Sequence, residues 1–264
     1  LLPAAAVEVF HTFTLMHDDI MDKAPLRRGQ QTVHEKWNAN TAILSGDVML
    51  VRAYEMMLGI APDKLGKVLQ IFSKTAAEVC EGQQLDMNFE LRDKVGIDEY
   101  IQMITLKTAV LLGFSLELGG ILQGAPDTDA VHLKQFGYNV GIAFQLRDDL
   151  LDVYGDKAKF GKQVGGDILS DKKTFLMLTA LEQANNEQLQ TILGWRDNTD
   201  AGIAEEKVQA ITAVYDQLDI RKQTEQKIDF YFQQALYHLD AVQVPVERKA
   251  TIHELALQLM ERDS

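Results

Sequence analysis

Two groups of three carboxylates, each embedded in an apolar stretch, constrain this chain more than any other feature. The first lies in FHTFTLMHDDIMDKAPLRRG, residues 10–29, where Asp18, Asp19 and Asp22 are followed by the adjacent pair Arg27 and Arg28. Residues 10–21 are rich in Phe, Leu, Ile and Met and contain neither Gly nor Pro, which predicts a buried or half-buried helix. On a helix, Asp18 and Asp22 share a face, one turn apart. Carboxylates on an apolar face repel one another and resist desolvation unless a cation lies between them. A hard divalent cation with oxygen ligands meets that need, and Mg²⁺ held by a few carboxylates and substrate phosphates is a common arrangement. The same DDxxD spacing returns at Asp148, Asp149 and Asp152, inside NVGIAFQLRDDLLDVYGD. Two such clusters suit a multi-cation cage for a diphosphate.

The remainder of the chain reads as helix. Leu, Ala, Met, Gln, Glu and Lys are plentiful, and the five prolines and few turn-like clusters are too few for an all-β protein, so an all-α fold is expected. Helical stretches are predicted near 3–23, 36–59, 63–92, 97–123, 128–154, 171–184, 187–195, 203–240 and 246–262, with each proline at a helix start or stop. Gly113, Gly119, Gly120, Gly137 and Gly141 interrupt helical runs, which signals either close helix approach or helix ends. With 264 residues, 46% of them hydrophobic, and no break in composition, a single domain over 1–264 is expected.

Charge and cysteine usage exclude several classes. A net charge of −13, from 26 basic and 39 acidic residues, argues against nucleic acid and anionic membrane surfaces as general partners. No apolar run of membrane-spanning length stands out. Cys80 has no second cysteine to pair with, so a reducing, cytoplasmic setting is expected. Residues 155–174, GDKAKFGKQVGGDILSDKKT, form a Gly- and Lys-rich loop leading away from the second carboxylate cluster. Its Lys157, Lys159, Lys162, Lys172 and Lys173 are candidates for holding an anion.

Together these motifs resemble the trans-isoprenyl diphosphate synthases, or polyprenyl synthetases. HDDIMDKAPLRRG at 17–29 and FQLRDDLLD at 144–152 match the two Asp-rich motifs of that family. Between and after them come SGD at Ser45–Asp47, the KT pair Lys107–Thr108, and the GK…GGD…KKT loop. The resemblance covers essentially the whole chain. It implies an isoprenoid synthase-type bundle of long helices around a deep central cavity, the two Asp clusters facing across its mouth, in a homodimer. The activity it implies is head-to-tail condensation of an allylic diphosphate with isopentenyl diphosphate, with about three Mg²⁺. By resemblance Asp18, Asp22 and Asp148 are metal ligands, while Asp19, Asp149 and Asp152 ligate or support them. Arg27, Lys107, Lys162 and Lys172 match contacts to the allylic diphosphate, with Thr108 and Gln145 around that site. His11 and Arg28 match positions used for isopentenyl diphosphate, and Phe144 a ring beside it. The family's N-terminal Gly-Lys-Arg motif does not occur in these residues. Since the chain begins LLPAAAVE without Met, a preceding segment is expected, and one would explain why the motif does not occur here.

Product length should depend on residues one to two turns before Asp18. Thr14 shares its face, Phe13 lies beside it, and Phe10 is about a turn further back. A large Phe13 with a small Thr14, and no insertion within DDIMD, resembles the archaeal geranylgeranyl type, with a farnesyl product the close competitor. A terpene cyclase shares the fold but normally replaces the second DDxxD with an Asn/Ser/Glu-type site. A non-catalytic subunit of a heteromeric synthase tends to lose its Asp motifs, and both are intact here.

Overall fold

The computed structural model describes residues 1–155, 165–196 and 201–260. The described chain is all-α apart from one hairpin, and it divides into two compact units. One comprises Leu1–Lys74 with Ile121–Gly124, the other Thr75–Gly120 with the chain from Ala125 onward.

In the first unit, α1 (Leu2–Met21) packs along α3 (Ala39–Met57), with the single turn α2 (Val33–Lys36) between them in sequence. The first part of α4 (Pro62–Leu91) belongs here as well. The unit closes around aromatic rings: Phe10, fully buried, meets Phe72 edge-on at 5.3 Å, and Phe72 meets Tyr54 at 4.8 Å. Asn38 caps α3 by accepting the Thr41 N–H at 2.8 Å, which moves the start of that helix to Ala39 from the expected 36.

The second unit holds α5 (Ile97–Ile104), a π-helical turn (Thr105–Ala109), α6 (Val110–Leu122, except its last two residues), α7 (Asp127–Tyr154), α8 (Gly166–Leu169), α9 (Phe175–Gln183), α10 (Asn186–Trp195), α11 (Ala204–Gln217), α12 (Ile220–Ala241) and α13 (Val246–Met260). Its most extensive packing is α7 against α12. The core gathers Tyr100, Leu146, Ile168, Leu176, Tyr215 and Ile220. The interior glycines mark close approach at four of the five expected places: a Cβ would lie 2.1 Å from the Tyr138 ring on Gly113, 2.9 Å from Leu133 on Gly120, 2.7 Å from the Gly113 Cα on Gly137, and 2.6 Å from the Ala109 Cα on Gly141. At Gly119 nothing is near.

Two expected helices differ in extent. The stretch 203–240 breaks at Asp219, which adopts a left-handed φ of +52°, and the Gln223 amide donates to the Leu218 carbonyl the break leaves open. The stretch 171–184 becomes helical only at Phe175, because Asp171 also has φ +52° and Thr174 is extended as the cap of α9. Proline placement follows expectation, with Pro3 in the first turn of α1, Pro62 opening α4, and Pro126 and Pro245 directly before α7 and α13. The continuous helical stretch Ile97–Leu122 is long and apolar enough to cross a membrane by length and composition, contrary to the expectation of no such run. Half of its most apolar window is buried inside the protein, as in a core helix.

Candidate active site

Both carboxylate clusters stand at the C-terminal ends of their helices, and neither helix carries a basic residue in its last turn. The negative end of a helix dipole disfavours a carboxylate by about 0.3–1 kcal/mol per charge, so each cluster calls for cations from elsewhere.

At the end of α1, Lys23 takes a left-handed φ of +51°, the Ala24 N–H donates to the Asp19 carbonyl at 2.9 Å, and the Lys23 N–H to that of Ile20. This is a Schellman closure with Lys where Gly is usual. The chain then turns through β1 (Leu26–Arg27) and β2 (Gln30–Gln31), paired antiparallel around Arg28 and Gly29. Both turn residues have positive φ, +52° and +76°, as a two-residue type I′ hairpin requires. Thr32 ties the hairpin back, its hydroxyl donating to the Ala24 carbonyl at 2.7 Å. Arg27 consequently returns over α1: its Nε donates to Asp19 Oδ1 at 2.7 Å and its Nη2 to Asp18 Oδ2 at 3.2 Å. Asp19 is buried beneath that guanidinium, Asp18 is half-buried, and Asp22, the C-cap of α1, is exposed. Arg28, at the hairpin tip, is exposed.

Immediately before Asp18, the His17 ring lies edge-on to Phe13, centroids 4.7 Å apart, and its Nε2 is 3.2 Å from the Ile43 carbonyl. A Cβ on Gly46 would sit 2.3 Å from that nitrogen, so the glycine of SGD is what admits the ring. Phe13 is buried against Phe10, ring centroids 5.6 Å apart. Thr14 is half-buried with its hydroxyl on the His11 carbonyl, and His11 is half-buried.

In the second unit Asp149 is buried, and both its oxygens are engaged. Oδ2 accepts a short hydrogen bond from the Tyr100 hydroxyl, and Oδ1 accepts the Gln145 amide at 3.1 Å. Gln145 in turn accepts from the Thr108 hydroxyl at 3.2 Å. Burial, then the nearby Asp167, push the Asp149 carboxyl up to about 7. Asp152 rises to about 6 for the same two reasons, although the Asp167 N–H donates to its Oδ2 at 2.9 Å. Asp148 and Phe144 are half-buried on the same helix.

Lys107 occupies the π-helical turn, where its Nζ meets Asp86 of α4 at 2.7 Å. A Cβ on Gly82 would fall 2.2 Å from the Lys107 nitrogen. Gly82→Ala is therefore expected to push this turn off α4 and to lower Tm while leaving most of the fold standing, which a circular dichroism melt would check. Lys172, largely exposed, has its Nζ 3.9 Å from Asp167. A cleft of about 300 Å³ lies between α4 and this segment, lined by Asp86, Glu90, Asp171, Lys172, Lys173 and Arg196. Lys157, Lys159 and Lys162 lie outside the described residues.

The sequence reading missed Tyr100, Asp86 and Asp167 as parts of the site. Asp167 was in view within the GGD landmark, but neither Asp86 nor Tyr100 carried a motif of its own.

A helical fold of this type, with an Asp-rich motif ending each of two helices and basic side chains brought to them, defines the isoprenoid-synthase class. The chain belongs to the polyprenyl synthetase family, whose model matches residues 2–212. It is 43% identical over 185 residues to a geranylgeranyl diphosphate synthase of Methanosarcina mazei, covering 69% of this chain and 57% of that protein. With a geranylgeranyl diphosphate synthase of Saccharolobus solfataricus the identity is 42% over 202 residues, 75% of this chain and 61% of that one. The match thus spans about three fifths of those relatives. A solved geranylgeranyl pyrophosphate synthase superposes with a TM-score of 0.93 at 44% identity, over 99% of this chain and 81% of that one.

Proposed function

We propose that this chain carries out Mg²⁺-dependent, head-to-tail condensation of an allylic diphosphate with isopentenyl diphosphate, giving a short-chain product, with geranylgeranyl diphosphate favoured and farnesyl diphosphate next. The observation that carries this reading is the pairing of each Asp motif with engaged basic or hydrogen-bonding groups, in a chain whose relatives bear the geranylgeranyl synthase name. Breaking the allylic C–O bond places negative charge on the leaving diphosphate, so fixed positive charge is what the reaction needs most. Arg27 offers a fork suited to phosphate oxygens, and Lys107, Lys162 and Lys172 offer point charges. Thr108 and Gln145 orient this set, while His11, Arg28 and Phe144 serve isopentenyl diphosphate.

The donor set fits Mg²⁺. Asp18, Asp22 and Asp148 present hard carboxylate oxygens, and among the described residues no three His, Cys, Asp or Glu side chains form a cage by themselves. That suits an ion held by one or two carboxylates with phosphate and water completing the shell, at about three per site. When bound, Mg²⁺ would supply electrostatic stabilisation of the departing diphosphate. Asp19 and Asp149 are better placed to support than to ligate, since Arg27 holds the one and Tyr100 with Gln145 the other.

Residues 1–264 act, in this reading, as one cytoplasmic synthase domain working as a homodimer. Support for self-association comes from α3, where Leu44, Val48, Val51 and Leu58 are all more than half exposed along one stripe.

Product analysis by mass spectrometry tests the proposal, using isopentenyl diphosphate with dimethylallyl, geranyl or farnesyl diphosphate, with and without Mg²⁺. A Mg²⁺-dependent twenty-carbon diphosphate is expected. A fifteen-carbon product would keep the chemistry and move the floor of the chain-length pocket toward Phe10. A cyclic hydrocarbon, or no product from any primer, would overturn it. Phe13→Ala is expected to lengthen the product, and an unchanged distribution would remove Phe13 from that role.

A further inference from the structure

We propose that Lys207 is a positioning residue for diphosphate capture, acting through the segment that presents Lys172; the inference rests on the function proposed above. Lys207 lies in the first turn of α11, remote in sequence from every motif, and is 1% exposed. Its Nζ meets Asp171 Oδ1 at 2.8 Å and the Leu169 carbonyl at 3.3 Å. A buried ammonium is costly wherever an apolar side chain could stand, and such a pair finds its best-attested use in fixing one arrangement over others. Here Leu169 ends α8, and Asp171 lies in the turn that follows, immediately before Lys172.

The turn is unusual enough to need holding. Asp171 adopts a left-handed φ of +52°, a conformation side-chain sterics disfavour for a non-glycine residue. The Asp171 N–H reaches the Ile168 carbonyl at 3.2 Å, and the Lys172 N–H reaches that of Asp167 at 2.9 Å. The next residue of α11 grips the other end of the segment. Gly165, at φ +86°, sits so close that a Cβ there would be 2.7 Å from Val208 Cγ2. Between these grips, the Gly165 and Asp167 N–H groups donate to the carbonyl and carboxylate of Asp152 at 2.6 and 2.9 Å. Adjacent residues of α11 thus seat both ends of the segment Gly165–Lys172, and the ion pair sets where the Lys172 stem leaves the backbone.

The test is steady-state kinetics on the full protein with Mg²⁺, each substrate varied in turn. Lys207→Met, similar in length but uncharged, is expected to raise KM for the allylic diphosphate about tenfold. KM for isopentenyl diphosphate should stay within about twofold, a split that general loss of fold would not produce. Asp171→Asn should move the same constant in the same direction. The double variant should fall short of the sum of the two single effects, because the two side chains meet in one ion pair. Equal changes in both KM values, or no change in either, overturn the proposal. Should Lys207→Met fail to fold, Asp171→Asn carries the test, since the Asp171 side chain is 24% exposed. Amide hydrogen exchange at Lys172 and Thr174 gives an answer free of catalysis. It should speed up in both variants, and unchanged protection overturns the positioning role. A wild-type protein inactive with every primer would sink the functional reading alone, and the exchange data would still decide whether Lys207 holds the turn.

Discussion

Asp18→Asn is expected to leave the fold intact and lower kcat by about a thousandfold, the scale reached when one preorganised electrostatic contact to a developing charge is removed. The fold should persist because Asn keeps the size of Asp and an oxygen for the Arg27 Nη2, 3.2 Å away. What it loses is the charge that makes a hard oxygen donor, so the Mg²⁺ concentration for half-maximal rate should rise as well. Asp148→Asn should behave alike on its own helix. Asp19→Asn should not. Asp19 is buried and holds Arg27 at 2.7 Å; Asn there keeps an acceptor oxygen but loses the charge that anchors the guanidinium, so it should loosen Arg27 and raise KM for the allylic diphosphate more than it lowers kcat. Kinetics on the three variants, with melting curves beside them, read the contrast. An Asp18→Asn protein whose kcat stays within about tenfold of wild type would remove Asp18 from the metal set.

The readable part of this chain was the part governed by local rules. Proline positions and apolar spacing located the long helices, and the twin DDxxD motifs located the carboxylates, because period and punctuation act over a few residues. The expected ranges 3–23 and 128–154 already put both motifs at the ends of their helices, but those signals could not show how the ends close. Lys23 closes α1 in a left-handed conformation where Gly would have been the visible signal, and Arg28 takes one of the two positive-φ places in the hairpin. Partners fixed by tertiary packing left no trace at all. Tyr100 reaches Asp149 across 49 positions and Lys107 reaches Asp86 across 21, and neither spacing has a period. The π-helical turn at Thr105–Ala109 reads as ordinary helix, and only the approach of Gly82 to its backbone marks it. Lys207 is the plainest case: in a polar first turn, AEEK, it looks like a solvated residue and is among the most buried in the protein.

Stability of the metal-free protein is expected to fall between about pH 4 and pH 7 on account of Asp149, and Asp149→Asn should remove that part of the slope. In the folded protein burial and Asp167 raise this carboxyl from 3.8 to about 7, so the native state holds a proton that the unfolded chain releases near its ordinary value. The protonated form is the one the fold favours. Its contribution is full below the unfolded value and is lost as pH rises through the folded one. Asp152, raised to about 6, adds to the same trend. At pH 8 a buried charge remains, which Lys172, Tyr100 and Gln145 offset only in part. Asn at 149 carries no charge and keeps both contacts: its oxygen accepts from Gln145, and its NH₂ donates to the Tyr100 oxygen, since a phenol can do either. With chelator present, Asp149→Asn should therefore melt higher than wild type at pH 8 by roughly 5 °C, corresponding to about 2 kcal/mol, and by much less at pH 4. Adding Mg²⁺ and pyrophosphate at pH 8 should raise the wild-type Tm, because binding to the motif favours its ionised form. A difference between variant and wild type that does not change with pH would mean that Asp149 is already ionised in the folded protein, and that Tyr100 holds an anion rather than an acid.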